Sequence, residues 1–222
     1  MHAREIRLLR HASRVEDLLA EGPPEIVLAG RSNVGKSSLM NALTGRRGLA
    51  RAGRRPGTTQ GVLWFSLDDQ LLLVDLPGYG FARAPEAVRS TWGGLVEAFF
   101  SERSVIHLVW ILVDGRHPPS ELDARMVQWM RNLRLPFQVV LTKGDRLSGN
   151  ERPRAVTACA AELGLSDADA APLLTSARDR TGIPEMWRII GSHLGEDRVQ
   201  AAGRPPAAPR PIRRRRAGEG GR

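Results

Sequence analysis

EIVLAG-RSNVG-KSSLMNAL, residues 25–43, is the stretch on which the fold turns. Residues 25–30 form a β-branched and apolar run ending in glycine, the pattern of a short buried strand. Residues 36–43 place Leu39, Met40 and Leu43 at helical spacing. Between them, Gly30-Arg31-Ser32-Asn33-Val34-Gly35-Lys36-Ser37 matches G-x-x-x-x-G-K-[ST], a loop that closes around phosphates. Its glycines let the backbone curl so that successive N–H groups point inward. The helix that follows adds the partial positive charge of its N-terminus. The expectation is a phosphate cradle running from Gly30 through Ser38. In it, Lys36 reaches the β- and γ-phosphates and the Ser37 hydroxyl ligates Mg²⁺.

Working outward, residues 46–60 carry Gly, Arg, Pro and Thr without periodicity and read as a loop. Residues 61–67 and 71–75 read as two strands joined by Asp68-Asp69-Gln70, an antiparallel hairpin. Residues 77–85 read as loop, 86–100 as helix and 105–114 as a strongly apolar strand. A helix over 120–133 opens on a Ser-Glu N-cap signal and carries Leu122, Met126, Val127 and Met130 on one face. Then follow a strand at 137–141, a helix at 155–163, a short strand within 172–175 and a last helix at 183–194. Strands alternating with helices predict an α/β fold with a mostly parallel six-stranded sheet, helices on both faces, and one antiparallel edge strand from the hairpin. Ligands in such sheets sit at the carboxyl ends of the strands. Residues 1–23 read as a short helical or irregular lead-in, 24–195 as the nucleotide-binding domain and 196–222 as a tail.

Bulk properties fit this reading. The 222 residues suffice for one buried α/β domain, and no apolar run approaches the roughly 18 residues of a membrane span. A single cysteine, Cys159, excludes an internal disulfide and suits a reducing, cytoplasmic setting. The net charge of +9 is concentrated at the end: residues 203–222 hold seven Arg and one Glu, so they carry +6. That Pro-, Gly- and Arg-rich segment cannot bury enough surface to order itself. It reads either as an arm for RNA phosphates or as a solvated tail without a specific partner.

Three further motifs follow the phosphate loop in order. Asp75-Leu76-Pro77-Gly78 ends a strand, where Asp75 would hold Mg²⁺ through a water and the Gly78 N–H would sense a γ-phosphate. Thr142-Lys143-Gly144-Asp145 follows the strand FQVVL. A carboxylate there accepts two hydrogen bonds from the N1–H and amine of guanine, which adenine cannot offer, and the Lys143 stem would lie along the base. Thr175-Ser176-Ala177 could present backbone N–H groups to the guanine O6. This order is that of the motifs in Ras-like GTPases.

More narrowly, AGRSNVGKSSLMNAL, RPGTTQ, DLPGYGFA, VDGRHPP and LTKGD resemble the EngB/YihA (YsxC) family of bacterial ribosome-assembly GTPases, over residues 24–194. The resemblance implies GTP and GDP as ligands, with Gly57, Thr58, Thr59, Gln60 and Gly61 joining the contacts. It makes Thr59 the Mg²⁺-ligating threonine, since the final Thr-Gln pair aligns better than Thr58. Lys36, Thr59 and Gly78 become the catalytic set. Thr142 stands where many GTPases carry Asn, as is common in this family. The implied role is a monomeric switch in assembly of the large ribosomal subunit, contacting rRNA or ribosomal protein. A role in cell division and septation through a protein partner is the other function associated with the family.

Tyr79 follows Gly78 where Ras-type enzymes place a water-orienting Gln, so hydrolysis is expected to be slow without help. Asn33 matches a residue that helps hold K⁺ in some related GTPases, making K⁺ a second candidate cofactor. Arg54, Arg55 and Arg83 lie in the two switch loops as surface charges or a cis arginine finger. The loop at His117, Pro118 and Pro119 reads as rigid connection, His107 as a core or edge residue, and the five tryptophans as mainly core.

Overall fold

The computed structural model describes residues 5–46, 48–49, 61–79, 86–101 and 103–194. The expectations at Gly57, Thr58, Thr59 and Gln60, at Arg54, Arg55 and Arg83, and in the tail lie outside the described residues. Seven strands form one sheet: β1 (Ile6–Ala12), β2 (Glu25–Gly30), β3 (Val62–Leu67), β4 (Leu71–Asp75), β5 (Ile106–Asp114), β6 (Phe137–Thr142) and β7 (Ala170–Leu174). Their spatial order is β1-β3-β4-β2-β5-β6-β7. The pairs β4–β2, β2–β5, β5–β6 and β6–β7 are parallel.

Helices α1 (Lys36–Thr44), α2 (Glu86–Ser101), α3 (Glu121–Asn132), α4 (Glu151–Glu162) and α5 (Ile183–Leu194) cover the sheet. Side chains of a strand alternate between faces, and β2 shows the consequence. Ile26 and Leu28 face a core closed by α1 and α5, with Met40, Leu43, Met186 and Ile190. Val27 and Ala29 face a second core closed by α2, α3 and α4, with Phe99, Val127, Met130 and Cys159. Each such large side chain contributes about 1.5–3 kcal/mol by leaving water. Both faces being covered, the central strands read as unbroken apolar runs.

The N-terminal segment differs from the expectation. It is a strand, not a helical or irregular lead-in, and it raises the count from six to seven. β1 pairs antiparallel with β3, so β3 is interior and β1 is the edge. Only Ile6 and Ala12 of β1 are buried, and the register shifts between Leu8 and Arg10. An edge strand bulged at Leu9, with Leu8 and Leu9 both exposed, has no period-2 pattern to read. Its register is pinned at the hairpin tip: Glu5 N–H donates to Asp68 Oδ1 at 2.7 Å, and Arg7 pairs with Asp69 at 2.6 Å. Asp68 and Asp69 both have positive φ, 53° and 55°, as a tight hairpin turn of the right twist requires.

In α3, Leu122 is exposed and Asp123 takes the buried position beside Val127 and Met130. α4 begins at Glu151 because Pro153 sits in its first turn, where proline is tolerated. β7 runs from Ala170 to Leu174, earlier than its apolar residues suggest, because its first two residues are exposed.

Candidate functional site

The phosphate loop lies between the carboxyl end of β2 and the first turn of α1. A Cβ on Gly30 would come within 2.9 Å of Leu112 O and 3.0 Å of Val34 Cγ1, so only glycine fits there. Gly35 has φ 118° and Asn33 φ 64°, both in the left-handed region that glycine and asparagine tolerate best. Lys36 Nζ folds back to donate to Gly30 O at 3.2 Å. Burial lowers its pKa, opposed by the charge of Asp75. Ser37 is half-buried beside it, while Arg31, Asn33 and Ser38 are exposed.

Asp75 ends β4, in register with Leu28 of β2. It is almost wholly buried, and its Oδ1 has no hydrogen-bond partner among the described residues. Burial pushes its pKa up to about 6, with Lys36 acting in the other direction. An orphaned carboxylate oxygen is costly unless something is meant to meet it. Together with the Ser37 hydroxyl of the phosphate loop it would offer oxygen ligands only, which suits a hard cation such as Mg²⁺. Leu76 N–H bonds Leu28 O, and the DLPG loop then folds onto the phosphate loop. Ser32 N–H donates to Tyr79 O at 3.0 Å, and Ser32 Oγ to Gly78 O at 3.3 Å. A Cβ on Gly78 would lie 3.0 Å from Ser32 N and Cα, so this approach also demands glycine.

The guanine-side motifs are tied to the phosphate loop by side chains. Thr142 does not face outward: its Oγ1 lies 2.6 Å from Val34 O and 3.2 Å from Val113 O, fully buried. Lys143, with φ 62°, donates to Asn33 O at 2.9 Å and to Asp114 Oδ2 at 2.8 Å. Asp145 Oδ1 accepts from Ser176 Oγ at 3.0 Å, which orients the carboxylate, while Oδ2 lies 3.7 Å from Arg146 Nε. Gly144 N–H bonds Thr175 O, and a Cβ there would press on Thr175 O and Leu174. Of the three amides expected at Thr175-Ser176-Ala177, two are engaged: Thr175 N–H with Leu141 O and Ser176 N–H with Thr181 O. That narrows the donor for a base oxygen to Ala177.

Two partners were given no role in the sequence reading, although Asp114 lies within the VDGRHPP stretch. Asp114 anchors Lys143, and Asp123 accepts the Tyr79 phenol at 2.8 Å. Burial opposes ionisation of Asp114, but hydrogen bonds from Arg116 and Lys143 overcome it and hold the carboxyl below the usual range. Burial raises the Tyr79 phenol well above its ordinary pKa, so it stays a donor. Arg31, Ser32, Asp114, His117, Asp123 and Lys143 border a cleft of about 240 Å³ on the α3 side of the phosphate loop. Among the described residues no group of His, Cys, Asp and Glu could hold a further metal. His107 is half-buried with Nδ1 near Val105 O, Trp64, Trp110 and Trp187 are buried, and Trp129 packs edge-on against Phe100. The Trp92 side chain lies outside the described residues.

A family model described as "50S ribosome-binding GTPase" matches residues 25–143. The chain is 42% identical over 182 residues to a protein of Geobacter metallireducens named "Probable GTP-binding protein EngB", covering 81% of this chain and 88% of that one. It is 39% identical over 195 residues to the protein of that name in Shouchella clausii, covering 87% and 98%. Among solved structures, that of a probable GTP-binding protein EngB matches with a TM-score of 0.64 at 26% identity, covering 77% of this chain and 98% of that one. A complex of Era with MgGDPNP and a 16S ribosomal RNA segment shares the fold, with a TM-score of 0.61 at 18% identity, over 87% of this chain and 61% of that one.

Proposed function

Since the chain belongs to the EngB group of GTP-binding proteins, within the P-loop GTPase family, we propose that it is a Mg²⁺-dependent switch that hydrolyses GTP slowly and acts in assembly of the large ribosomal subunit. The observation that carries the reading is the joining of the four motifs into one site. Lys143 and Thr142 grip the backbone of the phosphate loop at Asn33 and Val34, so base and phosphate ends are one unit.

Lys36 neutralises phosphate charge from its buried position, and the amides of the curled loop bind the oxygens that Lys36 does not reach. Asp145, held by Ser176, accepts the two guanine donors. Lys143 flanks the base with its stem. Ser37 would ligate Mg²⁺ and Asp75 would hold it through a water. When bound, Mg²⁺ supplies charge neutralisation at the β- and γ-oxygens. Thr59 is the second protein ligand we assign, on the family pattern. Slow turnover rests on Tyr79: its phenol is spent on Asp123, and a phenol so held does not orient a water. Asn33 makes K⁺ a candidate accelerator, and equal turnover in Na⁺ and K⁺ would remove it.

The ribosomal partner is supported by the family's description and suits the Arg-rich tail. We take the chain to act as a monomer. Among the described residues no helix is long and apolar enough to cross a membrane. The test is GTP turnover with and without large-subunit particles, beside co-sedimentation in GDP and in a non-hydrolysable GTP analogue. Salt-sensitive co-sedimentation in the GTP analogue, with turnover rising on the particles, is expected. Binding and turnover indifferent to the particles would overturn the ribosomal part. Failure to bind guanine nucleotide would overturn the whole.

A further inference from the structure

The DLPG loop leaves β4 and must end with its Gly78 N–H available to a ligand. Gly78 O and Tyr79 O both face Ser32, accepting from its Oγ and N–H, and Arg31 and Tyr79 form a parallel bridge. The Gly78 N–H has no acceptor among the described residues, although the two carbonyls that follow it, Gly78 O and Tyr79 O, are engaged. Backbone contacts alone are a weak hold on a loop, since water competes for each of them. Here the next side chain adds a second anchor on a different element. The Tyr79 hydroxyl donates to Asp123 Oδ1 at 2.8 Å. Asp123 is itself held: its Oδ2 accepts from Ser120 N–H at 2.8 Å and from Ser120 Oγ at 2.7 Å, closing the capping box of α3. The carboxylate is 2% exposed and is satisfied only while the phenol is in place.

We propose that Tyr79 is a positioning residue whose phenol, tied to Asp123 of α3, holds the loop against Ser32 and keeps the Gly78 N–H open for the terminal phosphate of a nucleoside triphosphate. The residue at the water-orienting position thus acts through its neighbour, without touching the reacting atoms. It favours the triphosphate over the diphosphate, because only the former has the group that Gly78 meets. Withdrawing the phenol strands a buried carboxylate oxygen, so the loop and α3 move as a pair. The inference rests on the guanine-nucleotide reading above.

The experiment measures equilibrium binding of GDP and of a non-hydrolysable GTP analogue to Tyr79→Phe, Asp123→Ala and the double variant. GDP binding serves as the internal control for folding and for the nucleotide reading. Loss of one hydrogen bond to a charged acceptor predicts about a tenfold drop in GTP-analogue affinity for Tyr79→Phe. GDP affinity should stay within about twofold, which a merely structural role would not produce. Asp123→Ala should give the same change in the GTP-to-GDP ratio, and the double variant no more than either single one. An unchanged ratio in Tyr79→Phe, equal weakening of both nucleotides, or additive effects in the double variant would overturn the proposal. Should Tyr79→Phe fail to fold, the ratio in Asp123→Ala decides. Wild-type protein that binds neither nucleotide would sink the nucleotide reading instead.

Discussion

Replacing Thr142 by Val keeps the shape of the side chain and removes only its hydroxyl. That hydroxyl lies 2.6 Å from Val34 O in the phosphate loop and 3.2 Å from Val113 O at the end of β5. Its single proton goes to the shorter contact, so the variant leaves the Val34 carbonyl buried without that donor. Such an orphaned group costs about 1–3 kcal/mol, equivalent to about a 5- to 150-fold change in an equilibrium. The cost divides between two observables. If the empty loop stays in place, it appears as stability, at about 2–4 °C of melting temperature per kcal/mol for a domain of this size. If the empty loop relaxes, it appears as weaker nucleotide binding, and GDP and a GTP analogue suffer alike because the loop grips what they share. Thermal unfolding of the empty protein and fluorescence titration with both nucleotides measure the two parts. Thr142→Ser restores the hydroxyl and should recover most of the loss. Thr142→Val that binds GDP and melts like the wild type would refute this account, as would a Thr142→Ser variant as weak as Thr142→Val.

Asp75→Asn should remove the Mg²⁺-dependent part of GTP-analogue affinity, about 10- to 100-fold, measured by titration with Mg²⁺ and with EDTA. Asp114→Asn loosens Lys143 and should weaken GDP by several-fold, a loss of about 1 kcal/mol. The folded pKa of Asp114 is depressed, so its contribution is present above its unfolded value and lost only as pH falls below it. The melting difference between this variant and wild type should therefore be flat from about pH 5 to 8 and close below about pH 4. Arg103→Met strands Glu25, which is wholly buried and otherwise bound by Arg103 and Trp64, at a cost of about 3–5 kcal/mol. Burial already raises the Glu25 pKa, so that variant takes up a proton on folding, and its stability should fall as pH rises.

The parts of the site that lie within a few residues of one another were legible in the sequence. The strand, loop and helix over residues 25–43 form one local unit whose spacing carries its chemistry, and the structure places β2 and α1 there. The pairings that lock the site were not legible. Thr142 reaches Val34 across 108 residues, Tyr79 reaches Asp123 across 44, and Arg103 reaches Glu25 across 78. No periodicity or motif records a contact between side chains so far apart, because only the folded sheet brings the strand ends together. β1 was missed for a different reason. A strand held by its backbone, with both faces largely wet, leaves no apolar alternation behind.

The distribution of these long-range links bears on how the proposed switch would be built. On the guanine side, Thr142, Lys143 and Asp145 are each tied by a side-chain hydrogen bond, to Val34 and Val113, to Asn33 and Asp114, and to Ser176. In the proposed site that half would meet the groups common to GDP and GTP, so rigidity there would strengthen both equally and shift no equilibrium between states. Among the described residues, the half that would meet the terminal phosphate is held to the phosphate loop through Ser32 and to α3 through the Tyr79–Asp123 bond. A region with few anchors opens at lower free energy than the fold around it. One ligand group can then move it, since a few kcal/mol of differential binding is enough to reverse a two-state population. Strengthening the guanine side should therefore tighten nucleotide binding without changing the GTP-to-GDP ratio. Altering the Tyr79 anchor should change the ratio while sparing GDP. Measuring the two variants Thr142→Val and Tyr79→Phe side by side separates the roles: a common effect on both nucleotides in each would mean that the site behaves as one body, with no separable switching half.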